Sequence, residues 1–262
     1  MNSFDYPLLQ LNEYEQVRDC LSQGKSCQVT GCGDSQLAHF ITGLSNGCKQ
    51  KVIVTFSALR AKELYEDMKG FTNDVVIYPS KDFIFFSADV HGNFILQQRL
   101  EFIRKIVEDE PFTVILTADA FMDKIQPFQK IKDNCIEISE GSIIELDALK
   151  TKLVKMGYEA VEQIDSPGQF AVRGSILDIY TLTDEVPYRI DFWDNEVDII
   201  KSFEIENQRS IENLDRIQIY PATEYFFDSE SLNLGAEKIK TESNTAVQKF
   251  RKNFNTEEAH RL

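Results

Sequence analysis

Two stretches of the chain hold residue types that could do chemistry. In Gln28-Val-Thr-Gly31-Cys-Gly33-Asp34-Ser35 a glycine-rich turn precedes an apolar run. A phosphate loop of the form G-x-x-x-x-G-K-[ST] cradles phosphates on backbone amides. Its lysine neutralises them and its hydroxyl ligates magnesium. Here Gly33 and Ser35 are in register, but Gln28 stands at the first glycine and Asp34 at the lysine. A carboxylate repels phosphate where an ammonium attracts it. The stretch therefore reads as a tight strand-to-helix turn rather than a working nucleotide site, and no cofactor is expected. His39, His91 and His260 have no metal-ligand spacing with Cys, Asp or Glu, so neither a metal nor a histidine-centred reaction is expected.

The second stretch covers residues 168–180 and 188–193. Alternation puts Phe170 and Val172 on one strand face, and Ala171 and Arg173 on the other. In the next run Ile190 and Phe192 point inward, so Arg189, Asp191 and Trp193 point outward together. Trp and Arg dominate binding hot spots, so a partner surface fits this set. A surface ion pair beside a covering tryptophan fits it equally. Asp178 and Asp191 read as salt-bridge partners for Arg173 and Arg189, with Asp191 placed to orient Arg189. Both arginines are expected to point away from the core.

Composition narrows the classes. The formal charge is -15, from 43 acidic and 28 basic residues. Residues 136–221 alone carry 18 acidic and 8 basic side chains, which makes Arg173 and Arg189 scarce cations in an acidic region. Such a chain lacks the basic face that DNA binding requires. Five cysteines, an odd number without C-x-x-C spacing, suit free thiols in a reducing cytoplasm. No apolar run approaches the roughly 18 residues of a membrane span, and no signal-peptide pattern opens the chain.

These residues must be positioned by elements of two kinds. Residues 1–132 alternate strand and helix: a strand and turn at 26–35, then strands at 51–56, 74–79 and 111–117, with helices between them. That order argues an α/β domain with a parallel sheet covered by helices. Residues 133–221 read as a small inserted α+β domain, mainly antiparallel. In it Asp147 caps a helix that Gly157 stops, strands follow at 160–164, 169–180, 188–193, 197–203 and 217–220, and Asp194-Asn195 marks a hairpin. Residues 222–262 read as helix and loop, a returning segment cut short.

The runs at 170–179, 187–196 and 208–211, with Thr30-Gly31, Tyr78-Pro79-Ser80 and Gln97-Gln98-Arg99-Leu100, resemble the N-terminal module of the bacterial transcription-repair coupling factor family, Mfd. That module is similar to the excision-repair protein UvrB: a helicase-like domain 1a, an inserted domain 2, then domain 1b. UvrB keeps an intact phosphate loop and a long hairpin that grips damaged DNA. Here Asp34 replaces the lysine, and the connection from Tyr78 to Phe94 is too short for the hairpin. The resemblance implies a cytoplasmic, monomeric, non-catalytic adaptor that recruits UvrA through domain 2. It carries partner-binding roles over to Arg173, Arg189, Asp191 and Trp193. RNA polymerase and double-stranded DNA would be met through modules of the longer protein that are absent here. A further arginine common in UvrB-like sequences is Ala171 here, and the family's usual phenylalanine is Trp193. The alternative is a weak nucleotide- or DNA-binding helicase fragment.

Overall fold

A computed structural model describes residues 6–45, 47–81, 90–226 and 229–252. Most of the connection between Tyr78 and Phe94, together with His260 and the polar stretch at 256–262, lies outside the described residues. Met1–Glu224 form one unit and Tyr225–Leu262 another.

Helices α1 (Tyr6–Leu9) and α2 (Asn12–Ser22) lead into an exposed coil, and α3 (Asp34–Leu44) starts behind Gly33. The strand expected at 26–30 does not form. Val29 is the one strongly apolar residue there and it is exposed, so a strand would have had no face to bury. The chain then alternates through β1 (Gln50–Thr55), α4 (Ala58–Lys69), β2 (Val75–Tyr78), α5 (Val90–Val107) and β3 (Phe112–Thr117). The three strands form a parallel sheet in the order β1-β3-β2. Central β3 is buried along its whole length, as the near-continuous run Phe-Thr-Val-Ile-Leu-Thr requires of a strand covered on both faces. Ala38, Ala61, Leu64, Met68 and Ile115 make the core on one side. Ser57 caps α4 as its sequence implies, accepting a hydrogen bond from the Arg60 amide at 3.2 Å.

After α6 (Ala118–Met122) and α7 (Phe128–Asp133) the period changes. Strand β4 (Ile136–Ser139) opens an antiparallel part, and α8 (Leu146–Lys155) buries Leu149 and Leu153. Then come β5 (Glu159–Ala160), β6 (Gln169–Arg173), β7 (Ile176–Tyr180), β8 (Tyr188–Trp193), β9 (Glu196–Phe203), β10 (Ser210–Leu214) and β11 (Arg216–Ile219). Six of these strands order as β10-β9-β8-β7-β6-β5, and β11 pairs with β4. Three details differ from the sequence reading. Asp147 sits in the first turn of α8 rather than capping it; Glu145 holds the cap position without a side-chain bond. The strand expected at 160–164 shrinks to β5, because Ile164 turns under the sheet to pack with Ala171 and Phe203. Strands β4 and β10 were not anticipated; β10, largely exposed and polar, gives little alternation to read. Gly157 does stop α8, at φ +91.

In the second unit, α9 (Ser229–Lys252) is a single long helix.

The two sheet systems of the first unit meet at Arg99 on α5, which is 1% exposed. Its Nε donates to Glu224 at 2.6 Å, and its Nη1 donates to the Pro79 carbonyl at 2.6 Å and to Asp123 at 2.8 Å. Its Nη2 donates to the Tyr78 hydroxyl, and the guanidinium lies 4.0 Å from the centre of that ring. Lys81 adds a 2.7 Å contact to the other Glu224 oxygen. One cation thus ties the end of β2, the segment after α6 and the chain that leaves β11. Removing one member of a buried pair strands the other charges, at a cost of about 3 kcal/mol or more. Arg99→Leu is therefore expected to lower unfolding free energy by about that amount in urea denaturation. A midpoint like that of the parent would show that the cluster does not hold the unit together.

Candidate functional site: an arginine face on the antiparallel sheet

The β6–β7 hairpin turns at Gly174-Ser175, with Gly174 at φ +63, where glycine carries no steric cost. This register sets Ala171 opposite Asp178, and Asp178 opposite Arg189 on β8. Cross-strand partners share a face, so Arg173, Asp178 and Arg189 converge on one side of the sheet. Asp178 is 1% exposed. Its Oδ1 accepts from Arg189 Nε at 2.7 Å, and its Oδ2 accepts from Arg189 Nη2 at 2.9 Å and from Arg173 Nη2. This is a bidentate Arg–carboxylate pair with a second guanidinium added. Arg189 also donates to Gln208 at 2.8 Å, which explains why the 208–211 motif belongs with this face. The bonds to Asp178 hold the Arg189 guanidinium above its already high pKa, against the opposing effect of burial.

The pairing expected of Asp178 is present, but Asp191 does not orient Arg189. Asp191 accepts instead from Lys201 at 3.1 Å, its diagonal neighbour on β9. Nor is Arg189 free of the core: its guanidinium lies 4.4 Å from the centre of the buried Phe203 ring. Below it, Phe203 packs with Ala171 and Ile164 in a small second core on the supposedly polar face. Ala171 is buried in that core, so the arginine common at this position in UvrB-like sequences would have no room. On the opposite face Ile190 and Phe192 are buried as expected. The side chain of Arg173 keeps 47% of its surface, and Trp193 is 79% exposed. One charged face therefore presents Arg173 and Trp193 outward, with Arg189 and Asp178 beneath them. The sequence did not reveal Asp178 as the organiser, because its register with both arginines depends on two hairpins.

The glycine-rich turn is organised differently. Gln28, Gly31, Gly33 and Asp34 are exposed, and Ser35 lies in the first turn of α3. The Gly33 amide donates to the Gln36 side chain at 3.3 Å, which occupies one donor that a phosphate would use. The Asp34 carboxylate meets Arg60 of α4 at 2.8 Å. An adjoining cleft of about 750 Å³ includes Leu11, Gln16, Gln28, Gln36 and His39 in its lining, which contains no Lys or Arg. His39 is half-buried and stacks on Phe71 at 5.1 Å, a packing role. Among the described residues no group of three or more His, Cys, Asp or Glu could hold a metal ion, and no helix is long and apolar enough to cross a membrane.

Residues 136–225 match the model of the UvrB interaction domain family. The chain is 30% identical over 253 residues to the transcription-repair-coupling factor of Bacillus subtilis, covering 95% of this chain and 22% of that protein. It is 26% identical over 185 residues to the factor of the same name from Escherichia coli, covering 70% of this chain and 16% of that protein. The Haemophilus influenzae factor matches at 28% over 178 residues, 68% of this chain and 15% of its own length. The chain therefore spans less than a quarter of these relatives.

The two aspartates of the face should behave unequally. Asp178→Asn strips a buried carboxylate from two guanidiniums and is expected to cost about 3 kcal/mol. Asp191→Asn breaks a partly exposed pair with Lys201 and should cost under about 1 kcal/mol. Paired urea melts with circular dichroism make the comparison, and equal losses would contradict the assignment of Asp178 as organiser.

Proposed function

We propose a function from one premise: this chain belongs to the transcription-repair-coupling factor family, matching its N-terminal part, and it carries a UvrB interaction domain. On this reading it is a non-catalytic adaptor in transcription-coupled nucleotide-excision repair that recruits UvrA through the antiparallel sheet. The division into 1–132, 133–221 and 222–262 belongs to the same proposal, with the middle segment as the docking domain. RNA polymerase and double-stranded DNA are partners of the longer protein, and the setting is the cytoplasm.

The observation that carries the reading is the Arg173–Asp178–Arg189 triad beside the exposed Trp193, inside the segment that matches the interaction domain. A guanidinium already held by a buried carboxylate loses little freedom on docking. Two cations sharing one anion leave a net positive charge on an otherwise acidic region. That charge suits a carboxylate on the partner, and an Arg fork binds a carboxylate with a geometry lysine does not reproduce. Trp193 adds a large flat contact beside it.

Arg173→Ala and Trp193→Ala are the informative variants, because both side chains are exposed and neither supports the core. Each is expected to cost about 2 kcal/mol in UvrA affinity, as hot-spot residues do, read by biolayer interferometry with unchanged melting as control. Wild-type affinity in both would place the interface elsewhere. Arg189→Ala should weaken binding as well, but it also uncovers Phe203 and removes both bonds of the bidentate pair on Asp178, so its melt is expected to fall.

The adaptor reading also calls for an inert turn. Isothermal titration with Mg-ATP is expected to show no micromolar binding, since Asp34 and its Arg60 pair stand where a lysine would meet phosphate. Asp34→Lys alone should not create an ATPase, because Gln28 stays and Gln36 still holds the Gly33 amide. Tight ATP binding lost in Ser35→Ala would favour a nucleotide-binding fragment instead.

A further inference from the structure

We propose that the docking face extends past Trp193 across the sheet edge to Ile143, a residue outside the arginine motifs. This deepens the UvrA reading and rests on it. Trp193 pairs with Glu196 across the two-residue turn Asp194-Asn195. On its other side Glu196 is bridged to Ile143, before α8. The Ile144 amide donates to the Asn195 carbonyl at 2.7 Å, and the Val197 amide donates to the Ser142 carbonyl at 2.9 Å. Those two bonds flank the Ile143–Glu196 pair, so it is of the antiparallel kind in which the facing side chains lie closest. Directly opposed residues share a face. Ile143, Glu196 and Trp193 therefore form one row across three neighbouring segments. At roughly 4.8 Å per strand, the two apolar residues stand about 10 Å apart with a carboxylate between them.

Exposure singles this row out. Ile143 is 83% exposed and Trp193 79%, the two most exposed large apolar side chains in the antiparallel part. A single exposed isoleucine on a loop needs no explanation. Here the isoleucine is pinned by two backbone hydrogen bonds in the same row as the tryptophan. Alternation along β8 puts that row on the Arg173 side of the sheet. The β6–β7 turn is tied to the same strand by the bond from the Phe192 amide to the Ser175 carbonyl at 2.9 Å. The face is thus continuous and held by backbone.

The row also states what the partner brings. Arg173 calls for a carboxylate. About two strands away, Trp193 and Ile143 leave a slot for one apolar side chain, and Glu196 on its floor calls for a cation beside that side chain. The matching UvrA surface carries these three groups in that order. Rigid apolar contacts flanking a charged centre are the arrangement that excludes water from a hot spot.

The test uses the full chain and immobilised UvrA. Ile143→Ser is expected to weaken binding roughly tenfold, the usual effect of removing a buried apolar anchor, while Ile143→Met keeps near-parental affinity. Glu196→Lys should weaken binding to a similar degree. Hydrogen exchange across residues 141–145 should slow when UvrA is added, a readout that stands even if a variant melts early. If Arg173→Ala and Trp193→Ala weaken binding while Ile143→Ser binds like the parent and 141–145 is not protected, this extension is overturned and the UvrA reading survives. If Arg173→Ala and Trp193→Ala also bind like the parent, the UvrA reading fails and takes the extension with it. Parental affinity in Glu196→Lys removes the cation from the partner's description.

Discussion

A guanidinium with no access to water must satisfy its donors inside the protein or the fold fails. Arg99 does so by gathering groups from distant points of the chain: a backbone carbonyl after β2, a carboxylate after α6 and a carboxylate beyond β11. The parallel sheet and the antiparallel part consequently share one set of charges. Tyr220 reinforces the junction. Its hydroxyl donates to Glu108 at the end of α5, and its carbonyl accepts from Tyr158 at 2.6 Å. Geometry at the junction is set by hydrogen bonds with narrow angular preferences, which hydrophobic contact alone would not supply.

Asp178 repeats the device nearer the surface, and the difference between the two sites is instructive. Around Arg99 two carboxylates and Lys81 close the cluster, and the guanidinium itself is 1% exposed. Around Asp178 one carboxylate is shared by two guanidiniums, and Arg173 reaches solvent. The first arrangement is complete as it stands. The second leaves donor capacity free in a fixed direction, which is what a preorganised recognition surface requires.

Much of this was legible in the sequence, for physical reasons that can be named. The run Phe-Thr-Val-Ile-Leu-Thr is too apolar for anything but a strand buried on both faces, and β8 shows an alternation that placed Ile190 and Phe192 inward. The strand at 26–30 failed because a turn motif suggested a strand that its side chains could not support. The role given to Asp191 failed for another reason. Adjacency along β8 brought it close to Arg189, but sheet register set Asp178 opposite Arg189 and left Asp191 with Lys201 as a diagonal neighbour. Register between strands that are distant in sequence is not written in any single stretch. Phe203 shows the same limit, since the small core beneath Arg189 needs Ile164 from a loop with no periodic signal.

The pairing of β4 with β11 has a mechanical meaning. Ile136 and Ile219 are opposed, so the chain enters and leaves the antiparallel part side by side. Tension applied to those two ends would open the ladder like a zipper, one rung at a time, the weakest way to load an antiparallel pair. The path outward from Ile219 prevents that. The Ala222 amide is bonded to the Met156 carbonyl at 2.9 Å, and Glu224 is clamped by Arg99 and Lys81. A pull arriving from the C-terminal side meets these anchors first and passes through Arg99 into α5. The clamp at Glu224 thus stands between that pull and the β4–β11 ladder.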